Sequence, residues 1–149
     1  MKRVAIAALA LSCLAAITGC MPNISFDDPE PTATAQQSAD VSWRKEFATQ
    51  YKAIGVHAGL VSEALGNYDF AEADREVEAA VFAAEWGADI ADDAGQVALG
   101  DDMDSVARWL SKAKEEMLNR DWSSATDYLD SAVVYYKSAM TKFFNSQDA

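Results

Sequence analysis

Phe47, Tyr51, Ile54, Ala58, Val61 and Leu65 recur every three or four residues, the spacing that aligns apolar side chains along one face of an α-helix. Gly66-Asn67 stops this stretch, and Asp69 is a good N-cap for a second one with Phe70, Ala73, Val77, Ala80, Val81, Ala84 and Ala91 on its face. A further stripe of Phe82, Trp86 and Ile90 widens that face, while Gly87 and Gly95 stand where the helix bends or ends before a loop around Gly100. Asp101, Asp102 and Asp104 put negative charge where a third helix would start, and Met103, Val106, Leu110, Ala113 and Met117 form its face. Asn119 to Asp121 make a turn, after which Trp122, Ala125, Leu129, Ala132, Val133, Tyr136, Met140 and Phe143 give the cleanest stripe of all. The pattern predicts an all-α domain over residues 41–149, built from four antiparallel helices on short connections.

Composition agrees. At 149 residues, 50% of them hydrophobic, the chain can fill one ordinary core, and with 7 glycines and 3 prolines it leans to helix over sheet. The net charge of −12 repels nucleic acid and anionic headgroups, so neither a nucleic-acid partner nor a polybasic membrane contact is expected. A solvated surface, or a basic partner, suits it better.

The N-terminus carries an address. Lys2 and Arg3 precede an apolar run from Val4 to Ile17, interrupted by Ser12 and Cys13, and Ile17-Thr18-Gly19-Cys20 closes it. The run is shorter than the roughly 20 residues a membrane-spanning helix needs, and small residues crowd its end, the layout of a cleaved signal peptide. The closing tetrapeptide resembles the lipobox of bacterial lipoproteins: an aliphatic residue, a small residue, glycine or alanine, then the cysteine that receives diacylglycerol. That resemblance implies cleavage between Gly19 and Cys20, acylation of Cys20, with palmitate among the acyl groups expected, and a membrane anchor. Met21 follows the cysteine in place of the aspartate that commonly retains such proteins in an inner membrane. The resemblance therefore implies an outer membrane facing the periplasm if the host is Gram-negative. Residues 1–19 are then the signal peptide, and the mature chain keeps one cysteine and can close no internal disulfide. Residues 20–40 hold all three prolines with Ser, Thr, Ala and Gln, too little apolar surface to offset ordering, and are expected to be a flexible tether. Such a tether spans on the order of 25 Å on average and at most about 65 Å.

The two halves of the helical region also match each other. Asn67-Tyr68-Asp69-Phe70 aligns without gaps on Asn119-Arg120-Asp121-Trp122, and beyond it Ala73 falls on Ala125, Val77 on Leu129 and Ala80 on Ala132. The order of aromatic, alanine, aliphatic and alanine resembles the second helix of a tetratricopeptide repeat, with Trp109 and Ala113 at the places of the first helix's aromatic and small residue. His57 and Val61 occupy those places in the first half, the period exceeds the usual length of about 34, and no proline closes either unit. A plain four-helix bundle and two tetratricopeptide-like hairpins both satisfy the pattern.

Signals for chemistry are weak. His57 is the single histidine and falls at the edge of a core face, where packing explains it. Haem would want a second ligand, for which Met103, Met117 and Met140 could offer sulfur, but no Cys-x-x-Cys-His motif exists. The acidic cluster Asp89, Asp92, Asp93, Asp101, Asp102 and Asp104 lacks the spacing of a calcium loop, and no Glu-x-x-His motif provides for a carboxylate-bridged metal pair. No nucleophile has a histidine partner in context, so neither catalytic residues, a metal nor a cofactor is expected.

Surplus aromatics point elsewhere. Trp43, Trp86, Trp109, Tyr128 and Tyr135 lie off the main stripes, and such residues either bulk out an alanine-rich core or line a surface where a partner docks. The expectation is a lipid-anchored, non-enzymatic module of the cell envelope that binds a protein partner as an adaptor or assembly factor. Trp86, Trp109, Tyr128 and Tyr135 are its candidate contacts. A bundle holding a small ligand, metal or haem is the alternative.

Overall fold

The computed structural model describes residues 35–146, with side chains from residue 41, so the signal segment, Cys20 and most of the expected tether lie outside it. Four helices account for nearly all of this span: α1 (Ala35–Gly66), α2 (Phe70–Asp93), α3 (Val97–Leu118) and α4 (Trp122–Asn145). Helix α1 begins ahead of Val41, where the apolar pattern starts. Nothing from Ala35 to Asp40 breaks a helix, so the backbone extends upstream of its first core contact.

All three connections are built the same way. The residue after each helix cap is left-handed: Tyr68 at φ 60°, Gly95 at φ 74° and Arg120 at φ 61°. The next amide reaches back to close the helix, from Asp69 to the Ala64 carbonyl at 2.8 Å, from Gln96 to Ala91 at 2.8 Å and from Asp121 to Glu116 at 2.9 Å. This is the Schellman geometry, which satisfies the orphan carbonyls of one helix while the same residue starts the next. Asp69 then accepts from the Glu72 amide, and Asp121 from those of Ser123 and Ser124, so the repeated Asn-x-Asp-aromatic segments are also one repeated structure.

The middle connection corrects the sequence reading. Gly100 lies inside α3 and not in a loop, because Gly95 turns the chain within three residues and the helix resumes at Val97 with Gln96 as an N-cap that makes no side-chain bond. Asp101, Asp102 and Asp104 consequently sit beyond the helix start rather than at it. Gly100 leaves room for the exposed Asp92 carboxylate, which a methyl group there would displace.

Each helix packs closely on its neighbour in sequence, and α1 and α4 close the ring, which makes a four-helix bundle. The ring is unequal. Helix α2 buries Ala73, Ala80, Ala83, Ala84, Gly87, Ala88 and Ala91, so α1 and α3 approach its backbone closely. Helices α1 and α4 stay more than 8 Å apart, Cα to Cα, and meet through rings instead. Tyr51 and Tyr136 stack at 4.0 Å with 9° between planes, and Phe47 stacks on Phe143 at 5.0 Å. Each tyrosine hydroxyl donates to the other's backbone carbonyl, Tyr51 to Tyr136 at 3.2 Å and Tyr136 to Tyr51 at 2.9 Å. Burial, then the neighbouring Tyr136, holds the Tyr51 phenol far above its ordinary pKa, so it stays a neutral donor.

The paired alanines occupy matching close contacts: Ala73 is 2% exposed and Ala125 0%. Ala73→Leu and Ala125→Leu are each expected to lower stability by about 1–3 kcal/mol in urea unfolding, since the added methylenes find no space. Unchanged midpoints in both variants would remove their shared packing role.

Candidate functional site

Of the residues singled out for partner contact, Trp86 is the one that is exposed, the other three being half-buried. It is 50% exposed, and Phe82, one turn earlier on α2, is 61% exposed. Their rings meet edge to face at 5.7 Å and 89°. Phe82 and Trp86 therefore do not widen the core face of α2, as their spacing with Ile90 suggests. Ala83, Ala84, Gly87 and Ala88 take the inward positions, and only Ile90 of that stripe is buried. Two large aromatic faces in water forgo several kcal/mol of burial in all, at about 25 cal/mol per Å2 of apolar surface. Glu85 and Asp89 stand exposed on the same helix, three residues after Phe82 and Trp86 respectively, and put negative charge beside the pair, while Glu78 is paired with Lys114 at 3.2 Å.

Trp109 and Tyr128 lie together on another side of the bundle. They stack between α3 and α4 at 5.6 Å, and the Lys112 ammonium sits 4.5 Å from the Trp109 ring and 5.6 Å from that of Tyr128. The Arg108 guanidinium covers Trp109 at 5.6 Å. These rings are half-buried and spent on each other and on two cations. In the first hairpin His57 and Glu76 hold the corresponding positions, the His57 ring nitrogen Nδ1 lying 2.7 Å from the Glu76 carboxylate, so one inter-helix slot is filled by a hydrogen-bonded polar pair in one half and by stacking in the other. Tyr135 is half-buried against the core. The structure thus separates the four residues, leaving Trp86 on α2, Trp109 with Tyr128 between α3 and α4, and Tyr135 packed on α4.

A second apolar surface lies at the bundle end formed by the 67–69 and 119–121 turns. Phe70 and Trp122, equivalent residues of the two halves, reach across this end and meet at 5.7 Å. With Leu65, Ala73, Asp74, Lys114, Met117 and Leu118 they line a cleft of about 30 Å3. Such a space takes about two water-sized groups and no ring system. In the interior, the layer between α1 and α4 where a bundle would seat a cofactor is filled by Phe47, Tyr51, Tyr136 and Phe143.

The acidic cluster is divided. Asp102 is 6% exposed and pairs with Lys142 at 2.7 Å, and the same ammonium donates to the Ala98 carbonyl at 2.7 Å. Among the described residues no three His, Cys, Asp or Glu side chains converge to hold a metal ion, and no helix is long and apolar enough to cross a membrane. Comparison of the chain with models of protein families, with curated proteins and with solved structures gives no match.

Proposed function

We propose that this chain is a lipid-anchored, non-enzymatic module of a bacterial cell envelope that binds a protein partner through the exposed edge of α2. The observation that carries the binding half is the Phe82–Trp86 pair, left in water by a helix that had alanines to spare for its core. Aromatic anchors of this kind supply most of the energy in protein interfaces, and their acidic frame favours a partner surface with basic residues around an apolar centre. Trp109, Tyr128 and Tyr135 act in this reading as the packing that stiffens α3 and α4.

The anchoring half rests on Ile17-Thr18-Gly19-Cys20. Each buried methylene of an acyl chain is worth about 0.8 kcal/mol, and two or more chains hold a protein at a bilayer stably where one does not. The full chain, expressed in a Gram-negative host, should incorporate radiolabelled palmitate and fractionate with the outer membrane. Cys20→Ser should lose the label and leave an unprocessed precursor. Label on the serine variant, or a wild-type chain free of it, would refute the anchor. Binding is tested separately: Phe82→Ser with Trp86→Ser should leave the helical circular dichroism intact and lower affinity for an identified partner at least tenfold, since interface aromatics are each worth about 2 kcal/mol or more.

A further inference from the structure

Phe82 and Trp86 do not stand alone on their side of the bundle. A methyl group at Gly87 would lie 3.6 Å from the Gln50 Cβ, and the Glu76 carboxylate meets the His57 ring, so α1 and α2 run antiparallel in a defined register. That register puts Val56 of α1 level with Phe82 to within one residue, and Lys52 level with Glu85. Val56 is 58% exposed and Leu60, one turn on, 40%. Leu60 stands three residues beyond His57, and Trp86 three beyond Ala83, in the rows that border the α1–α2 seam, so the four apolar side chains share one face of the first hairpin. Together they offer on the order of 400 Å2 of apolar surface, about half of the roughly 800 Å2 that one partner gives to a standard interface, which is itself little more than half apolar.

The charges beside this face are divided by helix. Lys45 and Lys52 are exposed on α1, Glu85 and Asp89 on α2, and none of the four forms an ion pair among the described residues. Toward the 67–69 turn the signs reverse, with Glu63 exposed on α1 and Arg75, which Glu72 holds, on α2. At each level, then, the edge of α1 carries the charge opposite to that of α2.

From this arrangement we infer that the occupant of the face is a second copy of the chain, joined through a two-fold axis parallel to the helices, a conclusion that rests on the reading of the Phe82–Trp86 edge as a docking site. Such an axis lays α1 of one copy on α2 of the other at the same level, and every contact occurs twice. Phe82 then meets Val56 of the other copy, and Trp86 lies over its Thr49 and Ala53, where small side chains leave room for the indole. Lys52 faces Glu85 of the other copy, Lys45 faces Asp89, and Glu63 faces Arg75. An axis across the helices would instead set α2 on α2, acid against acid. The parallel axis also leaves both chain starts at one end of the assembly, where two anchors of the kind proposed enter a single leaflet.

Sedimentation equilibrium of the full chain, purified in mild detergent, tests this. A dimer with a micromolar dissociation constant is expected, at least tenfold weaker for Phe82→Ser and unchanged for Phe70→Ala at the far end of the bundle. Lys52→Glu and Glu85→Lys should each weaken it severalfold without altering the helical circular dichroism, since both positions are exposed. The two changes in one chain should restore the dimer, because each lysine then again faces a carboxylate. A wild-type chain that stays monomeric up to about 100 μM would overturn the second copy. Should that monomeric chain still crosslink from position 82 to a different protein, the edge would remain a docking site and this assignment of its occupant would be lost. A dimer indifferent to Phe82→Ser would overturn the face, and one that the double exchange fails to restore would overturn the axis.

Discussion

Tyr136→Ala should destabilise the bundle by about 3–5 kcal/mol, the range for truncating a large buried aromatic. Tyr136 is 0% exposed, stacks on Tyr51 at 4.0 Å, and holds apart two helices whose Cα atoms stay more than 8 Å from each other. Removing it leaves a void that α1 and α4 cannot close while α2 and α3 fix their spacing, and strands the Tyr51 ring against it. Tyr136→Phe keeps the stack and loses the hydroxyl's bond to the Tyr51 carbonyl, so it should cost about 1 kcal/mol. Urea unfolding of both, with Tyr51→Ala and the double alanine variant, closes a cycle in which the two rings should couple by about 1 kcal/mol or more. Additive losses would mean that each ring fills space independently.

Lys142→Met should be nearly as damaging, at about 2–4 kcal/mol, because it leaves the Asp102 carboxylate, 6% exposed, without its counter-charge. The reverse change, Asp102→Ala, frees an ammonium that already reaches water and should cost about 1 kcal/mol or less. In the first half of the chain the matching positions are Gln50 and Ile90, an uncharged combination in the same architecture. Asp102→Gln with Lys142→Ile should therefore recover most of what Lys142→Met loses, since a buried ion pair exchanged for well-packed neutral residues is often close to neutral. Failure of this double variant would assign the pair a role in registering α3 against α4.

The helices were legible because their faces are written in local spacing. Ala73, Val77, Ala80, Leu129, Ala132 and Tyr136 all lie buried where the 3.6-residue period puts them. The correspondence between Asn67–Phe70 and Asn119–Trp122 was legible too, and became one turn built twice. What local spacing does not contain is the distance between helices. A stripe of alanines on α2 and a stripe of tyrosine and phenylalanine on α1 and α4 both read as core, and only packing turns one into a tight seam and the other into a thick aromatic layer. The same blindness let Phe82 and Trp86 read as a widening of the core face, although Trp86 also stood among the aromatics off the main stripes. Aromatics at i, i+4 beside an apolar face look like its extension, and only packing shows that alanines and Gly87 take the inward positions. Gly100 misled for a related reason, as a glycine that makes room for Asp92 has the same signature as one that ends a helix. Neither the Asp102–Lys142 pair nor the Phe70–Trp122 cleft could be read at all, because each joins residues far apart in the chain.

Site-specific photocrosslinking from position 82, in cells making the full chain, interrogates the proposed docking edge of α2 directly. One discrete protein adduct in the envelope fraction is expected, absent when Trp86→Ser is introduced alongside and retained when the probe is accompanied by Phe70→Ala. A smear without any discrete species, or an adduct indifferent to Trp86→Ser, would mean that the two rings stand in water for some reason other than a partner.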